Sequence, residues 1–417
     1  MARYTEAHAS PKGPGDGRPT ALQIIKDEGL EGRLSDKVML ITGTSAGIGI
    51  ETARALAATG AKLFLAVRNL EKGKAACADF LEPGRVELLE LDTSKLASVR
   101  ACAAAFLQKS SQLNLLVCNA AIMNTPTREE TEDGFEGQLA TNYLGHFLLF
   151  WLLKDTLLKS STPGFNSRLV NVSSSAHHAT ELFLDDFNLE KPGAYVPETA
   201  YGHSKLAQIY MANYVDRHFG PQGLHALSLM PGGMDTNLAK HIPREIMEGF
   251  KKNPVLYAFM KDNAQGAATT VWAAVGKEWE GKGGEYLENV QVATAEPFMP
   301  GLMGAKPYVH DEEKEEKAWA ITLKMLGRLA VVSWFLATYI PKYLSTYLRF
   351  AVAVLTFSIE LPKRVCFPRV TLLAKSQAPS MPGKRLWGLL ILFQGGPDRS
   401  GIFRLLIEFY TCKNAKI

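Results

Sequence analysis

A phenol and an ammonium stand four residues apart in Tyr201-Gly202-His203-Ser204-Lys205. Four residues is about one helical turn, so on a helix both groups leave the same face. Most Tyr-x-x-x-Lys spacings are surface pairs on amphipathic helices. In a partly dry site the same pair does chemistry: a nearby positive charge favours phenolate, and the tyrosine can then exchange a proton with an alcohol or carbonyl oxygen. Lowering a tyrosine by about 3 pKa units requires about 4 kcal/mol. Attraction across about 4 Å supplies only about 1 kcal/mol in bulk water, so the pair needs shelter from solvent.

A second candidate is "LITGTSAGIGIETARALAATG" at 40–60, which reads as strand, glycine-rich turn and helix. Gly43, Gly47 and Gly49 are spaced Gly-x-x-x-Gly-x-Gly. Glycines permit a tight turn and close backbone approach, while the helix that follows aims free N–H groups at a pyrophosphate. At the end of the next apolar run the chain reads "LAVRNLEK", with Arg68 first and no acid before Glu71. A carboxylate there would bind the ribose hydroxyl of NAD, whereas an arginine suits the extra phosphate of NADP, so NADP(H) is expected over NAD(H). Asp92, in "LELDTSK", either faces an adenine amino group or caps the next helix, with Thr93 and Ser94 as rival caps.

These groups need elements to hold them. From Lys37 onward, short apolar runs alternate with helical periods. The strands are expected at 37–42, 62–67, 86–91, 114–119, 168–173, 225–230 and 285–289, with helices near 48–59, 70–80, 95–109, 134–160 and 199–219. Such alternation predicts an α/β fold, a single doubly wound Rossmann domain with a seven-stranded parallel sheet, followed by a C-terminal hydrophobic and basic extension. The expected divisions are a loose N-terminal lead with a short helix (1–35), the catalytic domain (36–300), its last amphipathic helix (301–327) and the extension (328–417).

Among 417 residues, 47% hydrophobic and 21% charged, the composition is that of a folded globular protein. Five scattered cysteines give neither a disulfide framework nor a zinc pattern, and the paired His177 and His178 have no ligand partners at matching spacing, so no metal is expected. The net charge of +4 hides a division: beyond Gly327 there are 13 Lys and Arg against 3 Asp and Glu, an excess of ten that leaves the first 327 residues at −6. This is not an even basic surface suited to nucleic acid. Apolar patches at 329–340, 350–359 and 386–393 are each too short to span a bilayer, although 329–361 together could form a membrane hairpin. The location expected is therefore cytoplasmic, or the cytosolic face of an intracellular membrane if that extension is an anchor. Its other readings are a packed helical appendage or appended sequence that does not fold.

"TGTSAGIG" (42–49), "CNAAI" (118–122), "TNYLGHFLL" (141–149), "RLVNVSSSAHH" (168–178), "YGHSK" (201–205) and "PGGMDT" (231–236) occur in the order of one family. The chain resembles the short-chain dehydrogenases/reductases, in particular a fungal-type member of the retinol-dehydrogenase-like and WW-domain-oxidoreductase-like branch. The resemblance implies Tyr201 as acid/base, Lys205 on the nicotinamide ribose, Ser174 on the substrate oxygen, with Ser173 and Ser175 as alternatives, and Asn142 in a proton relay. It implies cofactor contacts from Gly43, Ser45, Gly47, Ile48, Gly49, Arg68, Asp92, Asn119, Ala120, Tyr201, Lys205, Pro231, Met234 and Thr236. An amide at Asn142 inside an apolar helix needs partners, and a relay water on the Lys205 amine is the expected one. The segment 177–199 is longer than in the shortest family members and is expected to wall the substrate pocket or to form a surface loop. The activity implied is carbonyl–alcohol interconversion on a small apolar molecule, in specialised (secondary) metabolism, with a homo-oligomer possible. The competing classes are a catalytically silent dinucleotide sensor and a membrane-anchored interaction protein. Neither substrate nor direction can be read from the sequence.

Overall fold

Runs that read as unbroken apolar segments become strands buried on both faces, as parallel sheets require. In the computed structural model, residues 3–295 and 302–327 are described, with three strands farther on. The chain forms α1 (Thr5–Ala9), α2 (Ala21–Asp27), β1 (Val38–Thr42), α3 (Ile48–Ala57), β2 (Lys62–Val67), α4 (Leu70–Ala76), β3 (Val86–Glu90), α5 (Leu96–Lys109) and β4 (Leu115–Cys118). Then follow α6 (Gly137–Leu139), a π-helical turn (Ala140–Leu144), α7 (Gly145–Ser160), β5 (Ser167–Val172), α8 (Pro197–Phe219) and β6 (Leu224–Met230). Last in this unit are α9 (Arg244–Lys252), α10 (Pro254–Phe259), α11 (Asn263–Gly266), α12 (Ala268–Val275), β7 (Tyr286–Glu288), β8 (Gln291–Val292) and α13 (Glu312–Met325).

The sheet order is β3-β2-β1-β4-β5-β6-β7-β8. All neighbours run parallel except β7 and β8, which pair antiparallel, so the expected seven parallel strands gain a two-residue eighth. One apolar cluster, containing Phe64, Phe106, Phe147, Tyr210 and Trp319, fills one face of the sheet. A second, containing Ile24, Leu56, Val117 and Val271, fills the other. The chain reverses direction across the sheet between β1 and β4, and the crevice beyond their carboxyl ends is where α/β sheets bind ligands.

Three expectations change. The N-terminal lead is not loose: Arg18 is only 4% exposed and donates to the carbonyls of Gly13 and Met260 at 3.0 and 2.6 Å. The single helix expected over 134–160 is broken at its start by the π turn, which is centred on Asn142. Between β6 and β7 the chain makes four helices that the sequence pattern did not announce.

A second unit comprises Phe335–Ile417. Its strands β9 (Val370–Ala374), β10 (Leu386–Phe393) and β11 (Phe403–Tyr410) form an antiparallel sheet in the order β11-β10-β9. The apolar patch 386–393 is therefore a strand. The patches 329–340 and 350–359, and the hairpin proposed over 329–361, lie outside the described residues. Among the described residues no helix is long and apolar enough to cross a membrane.

Candidate active site

The glycine turn sits at the carboxyl end of β1, in the crevice. Gly43 adopts φ +76°, and a Cβ there would lie 2.7 Å from the Ala120 Cα, so only glycine lets the turn pass the end of β4. A Cβ on Gly49 would strike the Gly43 carbonyl. Gly47, at φ +60°, starts α3, whose first N–H groups face the crevice. Ser45 and Ile48 are partly exposed on this turn.

Asn119 ties the two strand ends together. Its side-chain amide donates to the Thr42 and Gly43 carbonyls at 2.9 and 3.3 Å. The backbone N–H groups of Asn119 and Ala120 both donate to Thr42 Oγ1, at 2.9 and 3.0 Å. Arg68 follows β2 directly, is exposed, and has no ion pair among the described residues. Asp92 does not cap α5, and neither do Thr93 or Ser94: Lys95 occupies the cap position, and Asp133 accepts the Leu96 N–H. Instead, Asp92 Oδ1 accepts the Ser94 N–H and O–H at 3.0 and 2.6 Å, an arrangement that leaves Oδ2 uncommitted among the described residues. Beyond β6, a Cβ on Gly47 would sit 3.6 Å from the Thr236 methyl, and one on Gly266 would strike Met234 and approach Ile48. Pro231, Met234 and Thr236 thus belong to a segment folded over the glycine turn.

On α8, with Pro197 in its first turn, Tyr201 and Lys205 share a face as their spacing predicts, with the amine 5.5 Å from the centre of the phenol ring. Lys205 is buried and donates to the Val172 carbonyl and to Gln208 Oε1 at 2.8 and 2.9 Å. Both acceptors are neutral, and burial lowers the ammonium to a pKa of about 7. Burial pushes the Tyr201 phenol up, and only the adjacent Ser174 hydroxyl pulls the other way. The expectation is of a phenol lowered by Lys205 together with an oxidised nicotinamide; among the protein's own groups desolvation prevails. Of the three serines, Ser173 donates to the Lys205 carbonyl at 2.8 Å, Ser175 begins a 3-10 turn, and Ser174 lies against the phenol.

Asn142 is also held differently from expectation. Its amide donates to the Ile122 carbonyl at 3.0 Å and to Ser204 Oγ at 2.9 Å, while its oxygen accepts the Ile122 N–H at 2.9 Å. Protein groups, not a water on Lys205, satisfy it. Its main-chain carbonyl accepts from His146 Nδ1 at 2.8 Å. A carbonyl only accepts, so the imidazole proton is on Nδ1, and Nε2 must accept the Thr42 hydroxyl at 2.9 Å. Thr42 is then fully used, receiving two backbone N–H groups and donating to His146. The histidine connects the end of β1 to the π turn.

Thr42, His146, Ser204 and Gln208 are the residues that sequence reasoning missed. His146 lies one helical turn beyond Asn142, a spacing that could have drawn attention to it. Two other histidines serve as buried hydrogen-bonding groups: His177 Nδ1 donates to the Ser174 carbonyl at 2.7 Å, and His203 Nε2 to that of Phe187 at 3.0 Å. Among the described residues, no three metal-ligating side chains converge. The 177–199 segment and α13 enclose a cleft of about 850 Å³ lined by Phe183, Asp186 and Ile321. Phe183 packs on His203, which leaves α8 opposite Tyr201, so this cleft is separate from the catalytic face.

The short chain dehydrogenase pattern matches residues 37–185. A Penicillium roqueforti protein, short-chain dehydrogenase/reductase prx1, is 55% identical over 326 residues, covering 78% of this chain and 95% of its own. A WW domain-containing oxidoreductase of Gallus gallus is 39% identical over 287 residues, 66% of each chain. Polyprenol dehydrogenase of Homo sapiens is 34% identical over 301 residues, covering 71% of this chain and 87% of its own. With the glycine turn, the Asn119 tie and the Tyr201–Lys205 face on one crevice, the chain belongs to the short-chain dehydrogenase/reductase family, oxidoreductases that bind a nicotinamide dinucleotide and act on alcohol and carbonyl groups.

Proposed function

We propose that the protein is an NADP-dependent oxidoreductase interconverting a carbonyl and an alcohol on a fairly apolar small molecule, with Tyr201 as acid/base. The observation that carries this reading is the buried Tyr201 phenol, set between the Ser174 hydroxyl and the Lys205 amine on the crevice that also holds the glycine turn. Gly43 and Gly49 let the turn close against the end of β4 and against itself, and with Gly47 at the start of α3 they bring the helix's first N–H groups to the crevice, which fits a pyrophosphate. Arg68, exposed and unpaired among the described residues, fits the extra phosphate of NADP.

The bound nicotinamide supplies the hydride. The protein supplies the proton: burial keeps the phenol protonated, which suits donation to a carbonyl oxygen. Ser174 orients that oxygen and steadies the charge developing on it. Lys205 uses two of its three N–H groups on Val172 and Gln208 and keeps one for a ribose hydroxyl. Asn142 holds the Ile122 backbone and Ser204, and Ser204 in turn donates to the Tyr201 carbonyl at 2.7 Å. The name of the human relative supports an apolar alcohol or ketone as substrate. A place in specialised metabolism rests on the resemblance to fungal members.

The test follows NADPH and NADH oxidation over a panel of apolar ketones, aldehydes and quinones. Tyr201→Phe should lower turnover by about 10²–10⁴ with cofactor affinity unchanged. Near-normal turnover in that variant would sink the mechanism. Arg68→Ala should raise the KM for NADPH about tenfold, a loss of about 1.4 kcal/mol, and leave NADH unaffected. Equal losses would overturn the choice of NADP.

A further inference from the structure

We propose that the N-terminal lead is a working part of the active site, and that Arg18 is a positioning residue that fixes the segment folded over the cofactor-binding turn. This inference rests on the reading of the crevice as a dinucleotide site.

The contacts form a continuous path. The Arg18 guanidinium is buried and donates to four backbone carbonyls: Gly13 (3.0 Å), Ala258 (3.3 Å), Phe259 (3.1 Å) and Met260 (2.6 Å). Its Nε donates to Asp16 Oδ1 at 2.8 Å. Gln265 closes the ring, donating to Asp16 Oδ1 at 2.9 Å and accepting the Gly15 N–H at 3.0 Å. Gly13, at φ +107°, lies flat against the Tyr257 ring, and a Cβ there would come within 2.8 Å of it. So the lead binds both the end of α10 and the start of α11.

The next residue carries the constraint to the site. Lys261 is buried, its amine donates to the Pro231 carbonyl at 3.1 Å, and its N–H donates to the Gly233 carbonyl at 2.9 Å. Pro231 and Gly233 open the stretch that bears Met234 and Thr236 against Ile48 and Gly47. A guanidinium fork spanning several carbonyls is something a lysine cannot reproduce, so the position is specific for arginine. The stretch it restrains is otherwise weakly held. No residue of α9 or α10 is buried, whereas the glycine turn beneath stands on the sheet. Removing the fork should let 231–262 open locally without unfolding the core.

The test compares the full chain with Arg18→Gln by hydrogen exchange without cofactor, then by steady-state kinetics. Peptides covering 231–262 should exchange about tenfold faster while β1, β4 and β5 are unchanged, and the KM for NADPH should rise about tenfold with kcat within about twofold. Unchanged exchange in 231–262 overturns the proposal. Equal acceleration in the core strands also overturns it, since Arg18 would then be a general stability residue. Should Arg18→Gln not fold, Arg18→Lys and Asp16→Asn carry the same test, with a smaller acceleration confined to 231–262 expected. If the wild-type chain binds neither NADPH nor NADH, the dinucleotide reading fails, and the exchange result still decides the path from Arg18 to the segment.

Discussion

Two regions make the candidate site, and they are built in opposite ways. The floor, from β1, β4, β5 and α8, contains a web of buried groups bonded to one another: Thr42 with Asn119, Ala120 and His146, and Asn142 with Ile122 and Ser204. The cover, from Pro231 to Gly266, exposes large apolar side chains such as Ile246 and Val255, at 50% and 57%, and is tethered mainly through Lys261 and the Arg18 path. Residues that hold a proton and a pyrophosphate must not move, because their geometry sets the reaction. On the proposed reading the cover opens to admit the substrate, and loosely packed helices open at low cost.

The largest effect expected from this contrast is in the floor. His146→Leu removes the side-chain donor to the Asn142 carbonyl and the ring nitrogen that accepts the Thr42 hydroxyl, leaving that hydroxyl only the Val117 carbonyl at 3.4 Å. Urea denaturation should show a loss of about 3 kcal/mol. A loss below about 1 kcal/mol would mean that the web is not shared through this histidine.

An intermediate effect follows from pH. Burial lowers His146, His177 and His203 each to about 4, from 6.5. Between those values the unfolded chain binds protons that the folded chain refuses, so stability falls as pH drops from 6.5 through about 4. Chemical denaturation midpoints across that range check the sign. His146→Leu should flatten the slope, and a constant midpoint in the wild type would contradict neutral, buried imidazoles.

The smallest effect belongs to the cover. Ile246→Ser on α9 should change stability by no more than about 0.5 kcal/mol, because the side chain is half exposed and not part of either apolar cluster. A larger thermal shift would show that the cover is packed as firmly as the floor.

The same contrast explains what was legible. β2 begins and ends where its apolar run does, at Lys62 and Val67, because a strand buried on both faces has no alternation to blur its limits. Tyr201 and Lys205 meet on one face of α8 because a four-residue spacing on a helix leaves little choice. The helices between β6 and β7 were not legible. α9, for instance, is only nine residues long and buries none of them, so although Ile246 and Phe250 stand at helical spacing they lie outside the strand-and-helix alternation that marks the core. The lead was misread for a related reason: a Pro- and Gly-rich composition announces a lack of internal pattern, and Arg18 finds its carbonyls some 240 residues away.

By itself, the sequence determined the alternation of strands and helices, the glycine turn and the Tyr201–Lys205 face, all of which depend on neighbours within a few residues. The tertiary structure decided what satisfies Asn142, which serine lies against the phenol, and where the lead packs. Those depend on burial and on partners distant in sequence, as between His146 and Thr42, and no local pattern encodes the loss of water that sets them.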